Sequence, residues 1–148
     1  MTERWRNHLL ETPEEIGALL ARTHTVAVLG IKTADDPGQP AWYVPEYVQR
    51  AGMQIIPVPV YFPDVTEILG RPVYRTIAAI PGEVDLVNVF RRPKNIPAHV
   101  DDILAKRPAA VWFQEEIRDD ASAERFARAG IDVVQDRCLL VELRNRGR

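Results

Sequence analysis

A single cysteine, Cys138, excludes an internal disulfide and the paired-cysteine patterns of structural zinc, and it suits a reducing compartment. No apolar run approaches the roughly 20 residues that span a bilayer. The opening stretch Met1 to Leu10 lacks the apolar core of a signal peptide, so a cytoplasmic location is expected. There is no excess of charge of one sign either. A formal net charge of −2 gives no general attraction to nucleic acid or to an anionic membrane, and neither is expected as a partner. Any anion site must therefore be local. The three histidines, His8, His24 and His99, fall in different elements without metal-ligand spacing and are expected at the surface rather than as ligands; no metal site is assigned. No Ser-His-Asp or Cys-His order can be argued, so no catalytic residue is assigned and enzymatic activity stays open.

What is present is the composition of an ordinary globular protein, 46% hydrophobic and 27% charged over 148 residues, read as one domain spanning residues 1–148. A chain of this length buries roughly 70% of the surface it exposes when unfolded, enough for a core without staples. Thr12-Pro13-Glu14-Glu15 is a capping box, and with Ile16, Leu19 and Leu20 on one face it predicts a helix over about 13–22. The run TVAVLG, Thr25 to Gly30, predicts a strand buried on both faces and stopped by glycine. Helical spacing returns from Tyr43 to Ala51 before Gly52. QIIPV (54–58), VDLVNVF (84–90), AAVWF (109–113) and IDVVQ (131–135) are further strands, and helices are expected around Val100, Ile103 and Leu104 and over about 119–129. The proline-rich stretch 56–63 is expected to be an ordered loop, and Cys138 to Arg144 is either a short helix or a strand. Strands alternating with helices of about ten residues predict an α/β fold: a doubly wound, mainly parallel, Rossmann-like sheet with helices on both faces.

In such a fold ligands bind outside the carboxyl ends of the strands. The first strand leads into Gly30, Lys32, Gly38 and Pro40 before a helix that starts near Ala41; only one glycine sits at the turn, so the dinucleotide fingerprint G-x-G-x-x-G is absent. A helix N-terminus still offers free amides to a phosphate. The second strand ends Val58-Pro59-Val60-Tyr61 with no acid before Asp64, which disfavours an NAD site and leaves an apolar seat for a base. The third ends in Arg91-Arg92, followed by Lys94. These are either a bidentate grip on phosphate oxygens or solvated surface cations. Glu115 and Glu116 are potential acid/base groups or a solvated loop. Cys138 beside Arg137 is either a low-pKa thiol or a packed, inert one. Of the three tryptophans, Trp5 and Trp42 could mark an interface, whereas Trp112 lies in a buried strand and belongs to the core.

The segments VAVLG, PAWYVPEYVQRAG, EILGRPVYRTI, VDLVNVFRRP, AAVWFQ, AGIDVVQDRC and LLVE, taken in this order and spacing, resemble the stand-alone coenzyme A-binding proteins of bacteria, which are similar to the N-terminal domain of the succinyl-CoA synthetase α subunit. The similarity covers about 25–142 and leaves 1–24 as an N-terminal helical extension. It implies binding of coenzyme A or an acyl-CoA, without an established reaction. Carried over by position, it implies that Gly30, Ile31 and Lys32 form the first phosphate loop, with Pro40, Ala41 and Tyr43 at its exit. It further implies that Val58, Pro59 and Val60 lie by the adenine, that Phe90, Arg91 and Arg92 border the pantetheine and phosphates, and that Gln114 closes the site. The chain departs from the family's Gly-Ala-Ser at Gly30-Ile31-Lys32 and from its Val-Asn-Pro at Val58-Pro59-Val60. It also carries Glu115 and Glu116 where the family has a small residue and glycine. An enzyme acting on a nucleotide-linked or CoA-linked substrate, and an interaction module with a vestigial nucleotide site, are the alternative readings.

Overall fold

Five short apolar strands carry too much hydrophobic surface to leave either face in water, and they assemble into one parallel sheet. The computed structural model describes residues 3–148. Strands β1 (Thr25–Leu29), β2 (Gln54–Val58), β5 (Leu86–Val89), β6 (Ala110–Phe113) and β7 (Asp132–Val134) lie in the order β2-β1-β5-β6-β7. Each pairing is parallel. The expected α/β doubly wound fold is therefore the observed one, and the Val84 to Phe90 run supplies its central strand.

Alternate side chains of each strand feed two separate cores. On one face Val26, Val28, Leu86 and Trp112 pack against α1 (Pro13–Ala21), α2 (Pro40–Arg50) and α5 (Leu139–Arg144). On the other, Ala27, Leu29, Val87, Val89 and Phe113 pack against α3 (Pro97–Lys106) and α4 (Asp120–Arg128). Trp112 is wholly buried, as its strand position implied, with its indole nitrogen donating to the Arg137 carbonyl at 2.8 Å.

Local chemistry explains the element ends. The Thr12 hydroxyl accepts from the Glu15 amide at 3.1 Å, while the Glu15 carboxylate accepts from the Thr12 amide at 3.0 Å. At the amino ends of the strands, the Asp85 carboxylate accepts from the His24 and Thr25 amides at 2.8 and 3.0 Å, registering β5 on β1. The β7 edge is covered by the N-terminal stretch: Leu9 bridges Val133, and the Leu10 amide donates to the Val133 carbonyl at 2.8 Å.

Several boundaries differ from the sequence expectation. The second helix begins at Pro40, one residue before the expected start near Ala41, because a proline with φ preset for helix needs no amide partner in the first turn. Where the two expectations for this part of the chain overlapped, the strand over 54–58 prevails over the loop over 56–63: Ile56, Pro57 and Val58 belong to β2, which lies at the sheet edge where a proline is tolerated. The 138–144 ambiguity resolves as helix. A two-stranded antiparallel hairpin, β3 (Glu67–Ile68) and β4 (Arg71–Pro72), had no sequence counterpart, since two residues per strand carry no periodicity.

Packing of α4 rests on Phe126, which is fully buried and meets Phe113 edge to face at 6.4 Å between ring centroids. Phe126→Ala is expected to destabilise the fold by about 3–5 kcal/mol in urea denaturation. A loss below about 1 kcal/mol would mean that the α4 face is not part of the cooperative core.

Candidate functional site

The strand order places a reversal of winding between β1 and β5. The chain leaves β1 through α2 on one face to reach β2, and leaves β5 through α3 on the other face to reach β6. The two exits diverge and open a crevice at the carboxyl ends of β1 and β5. Gly30 to Lys32 enters it from one strand and Phe90 to Arg92 from the other.

Gly30 is required by both conformation and space. Its φ is +87°, and a β-carbon there would lie 2.4 Å from the Phe90 carbonyl oxygen. The Gly30 amide donates to the Val58 carbonyl and the Phe90 amide to the Leu29 carbonyl, both at 2.9 Å, so three strand ends are laced together at this point. Lys32 is tied in by a different device. Pro45 lies inside α2 and has no amide to give the Ala41 carbonyl, one helical turn back. That carbonyl instead accepts from the Lys32 amide at 3.0 Å, which fastens the β1 exit loop to the first turn of α2.

The predicted site residues divide by exposure. Lys32, Tyr43, Arg91 and Arg92 present side chains to solvent, with Pro40, Val60, Phe90 and Gly30 also partly or fully exposed. Ile31, Ala41, Val58 and Pro59 are buried and shape the walls from behind. Gln114 is only 3% exposed. Its side-chain oxygen accepts from the Asn88 amide group and from the Leu139 backbone amide, both at 3.3 Å, turning it toward α5. The Asn88 side-chain oxygen beside it is buried without a partner.

Three cations converge without carboxylate neutralisation: among the described residues, Lys32, Arg91 and Arg92 form no ion pair. Two of them lie over aromatic rings of the loop after β2. The Arg91 guanidinium carbon is 5.8 Å from the Tyr61 ring centroid and the Lys32 ammonium 5.9 Å from that of Phe62. Hydrogen bonding from Arg91, reinforced by its charge and by those of Arg92 and Lys32, holds the Tyr61 hydroxyl below the usual phenol range. Arg75 clamps this aromatic loop. Its guanidinium donates to the carbonyls of Tyr61, Phe62, Pro63 and Val65 at 2.7–3.2 Å, holding Phe62 at a φ of +62° that a bulky side chain rarely adopts.

Sequence reasoning had not assigned Tyr61, Phe62, Arg75 or His99 to the site. Tyr61 was detectable from its place just past β2. Arg75 and its four acceptors are 10–14 residues apart with no pattern linking them. His99, expected at the surface, is half-buried and accepts a hydrogen bond from Arg91 Nε at 3.2 Å. Glu115 and Glu116 are exposed beyond β6. The Glu116 amide donates to Asp136 at 2.7 Å, with the backbone in the left-handed region at φ +68°. Cys138 is half-buried at the start of α5. Among the described residues no group of three or more His, Cys, Asp or Glu could hold a metal ion, and no helix is long and apolar enough to cross a membrane. A cavity of about 430 Å³ lies elsewhere, between the N-terminal stretch, α4 and β7, lined by Arg6, Arg118 and Arg137 together with Glu11, Asp120 and Glu124.

Residues 24–144 match the profile of the CoA binding domain family. A relative from Bacillus subtilis (strain 168), the uncharacterized protein YneT, is 31% identical over 127 residues, which is 86% of this chain and 90% of that protein. Among solved structures, the cell-free ID.343 protein of Thermus thermophilus superposes with a TM-score of 0.83 at 36% identity, covering 91% of this chain and 98% of that one. A hypothetical protein from Pyrococcus horikoshii OT3 superposes with a TM-score of 0.82 at 28% identity, covering 91% and 92%.

Gly30→Ala combines left-handed backbone strain with an overlap on a backbone oxygen. It is expected to lower stability by roughly 2–5 kcal/mol, seen as an early thermal transition. A wild-type melting temperature would mean that the β1 and β5 exits are not held as close as described.

Proposed function

From the premise that this chain belongs to the CoA binding domain family, we propose that it binds coenzyme A or an acyl-CoA in the crevice between the β1 and β5 exits, without catalysing a reaction on it. The observation that carries the reading is the unneutralised trio Lys32, Arg91 and Arg92 at the switch point of a chain whose net charge is −2. Unpaired cations held at one place repel each other, and an anion relieves that cost. Coenzyme A brings a diphosphate and a 3′-phosphate on a single adenosine. A guanidinium suits such oxygens because it offers parallel donors, and an ammonium suits them as a point charge.

The remaining walls fit the other parts of the ligand. Val60 and the exposed Tyr61 ring lie where β2 ends, next to Arg91, and offer apolar and aromatic surface to an adenine. An acid that would hold a ribose 2′-hydroxyl is missing there, which argues against NAD. Phe90 and Tyr43 supply apolar surface for the pantetheine arm, and in the first turn of α2, where Pro40 has no amide and the Trp42 and Tyr43 amides donate to the Gln39 carbonyl, the Ala41 amide is left for a phosphate. Gln114, occupied by Asn88 and Leu139, supports the crevice from below in this reading rather than touching the ligand. Glu115 and Glu116 lie beyond β6, the strand next to β5, with the Glu116 amide held by Asp136, and carry no acid/base assignment.

Calorimetry with coenzyme A, 3′-dephospho-coenzyme A, NAD and ATP tests this assignment, with coenzyme A expected to bind tightest. Silence toward both coenzyme A forms at millimolar concentration would refute it. Arg91→Ala is expected to weaken coenzyme A by about 1.5–3 kcal/mol through loss of a charge-assisted hydrogen bond. Undiminished affinity would return Arg91 to the solvated surface.

A further inference from the structure

An arginine with four single bonds between its backbone and its guanidinium does not hold one direction unaided, and Arg91 has no carboxylate partner among the described residues. What holds it is a histidine in the first turn of α3, eight residues further along the chain. Arg91 Nε donates to His99 Nε2 at 3.2 Å, while the guanidinium plane lies beside the Tyr61 ring. We propose that His99 is a positioning residue for the phosphate grip: its neutral imidazole anchors the Nε end of Arg91 and turns the terminal nitrogens, one of them beside the Tyr61 hydroxyl, toward a phosphate.

The chemistry of the contact dictates the protonation state. Arginine Nε carries its hydrogen at every accessible pH, so His99 Nε2 can only accept, which requires the neutral ring with its hydrogen on Nδ1. An imidazolium has no acceptor. Protonation would therefore replace an attraction with two cations in contact and release Arg91 from its direction. The surroundings favour the neutral form. Burial foremost, and then the Arg91 charge, hold the His99 pKa below the usual histidine range, with Asp102 one turn along α3 pulling weakly the other way. The Asp102 carboxylate is itself engaged by the Ile77 and Ala78 amides at 2.7 and 2.9 Å. The Tyr61 ring also lies against the Arg91 guanidinium.

The sign of the pH effect follows from distance. A proton on His99 acts on Arg91 at contact, but on a phosphate only across the whole guanidinium, where its attraction is weaker. Binding is thus retained above the His99 pKa and declines as pH falls through it. The inference rests on the reading of the crevice as a coenzyme A site, and its tests separate the two.

Coenzyme A affinity should be measured by calorimetry from pH 5 to pH 8 for the wild type, His99→Gln and His99→Ala. Glutamine retains an acceptor and does not titrate. Near pH 8 the glutamine variant is expected to bind within about twofold of wild type and the alanine variant about fivefold more weakly, the worth of one hydrogen bond. Toward pH 5 the wild type should lose about fivefold relative to His99→Gln; the ligand's own phosphate titration is common to both and cancels in that ratio. A ratio that stays flat, or an alanine variant with full affinity, would overturn the positioning role while leaving coenzyme A binding intact. Wild-type silence toward coenzyme A at every pH would overturn both. Without ligand, an NMR titration should find the His99 pKa higher in Arg91→Ala than in wild type, and an unchanged value would also overturn the proposal.

Discussion

Parallel strands buried on both faces can be joined only by segments that travel back over one face or the other, and the change of face between β1 and β5 organises everything else in this protein. Because α2 and α3 leave in opposite directions, the backbone amides and side chains at those two strand ends have no element stacked on them. The crevice is thus a consequence of winding rather than of any special local sequence. Burial on both faces also explains why β5 and β6 are almost wholly apolar: every residue of the two is buried, with Asn88 the one polar exception, met by Gln114.

Within that frame the electrostatics are concentrated. Elsewhere on the surface, ion pairs such as Arg125 with Asp101 and Arg128 with Glu124 are exposed and each contributes little. In the crevice Lys32 and Arg91 are set against aromatic rings instead of carboxylates. A ring face attracts a cation without neutralising it, so Lys32 and Arg91 stay available to an anion while keeping a defined place. The loop carrying those rings includes Phe62 in a left-handed conformation, and four carbonyls gathered on Arg75 offset that strain.

Two residues that violate ordinary local preferences sit at the same corner. Gly30 ends a strand where any β-carbon would strike Phe90, and Pro45 interrupts the hydrogen-bond ladder of α2. Their positions are complementary: the glycine lets the β1 exit turn closely over β5, and the proline frees the Ala41 carbonyl that fastens that exit through Lys32. The family's Gly-Ala-Ser is replaced here by Gly30-Ile31-Lys32. Ile31 turns into the core while Lys32 remains partly exposed, so the departure adds a cation to the crevice.

Fold class was legible in the sequence because it depends on period and order. The β-branched runs at Thr25, Gln54 and Val84, each stopped by turn residues and separated by helical spacing, are local patterns that survive without knowledge of contacts. The capping box at Thr12 and the placement of Arg91 at a strand end were legible for the same reason. What only the tertiary structure decided was which residues meet across long separations. Gln114 could be placed after its strand but not oriented, since its partners Asn88 and Leu139 are 26 and 25 residues away. The clamp of Arg75 and the pairing of His99 with Arg91 are equally invisible along the chain. Secondary structure follows from propensity and burial pattern, which neighbouring residues supply. The direction of a long polar side chain follows from whichever partner the fold brings within about 3 Å, and that is a property of the assembled sheet alone.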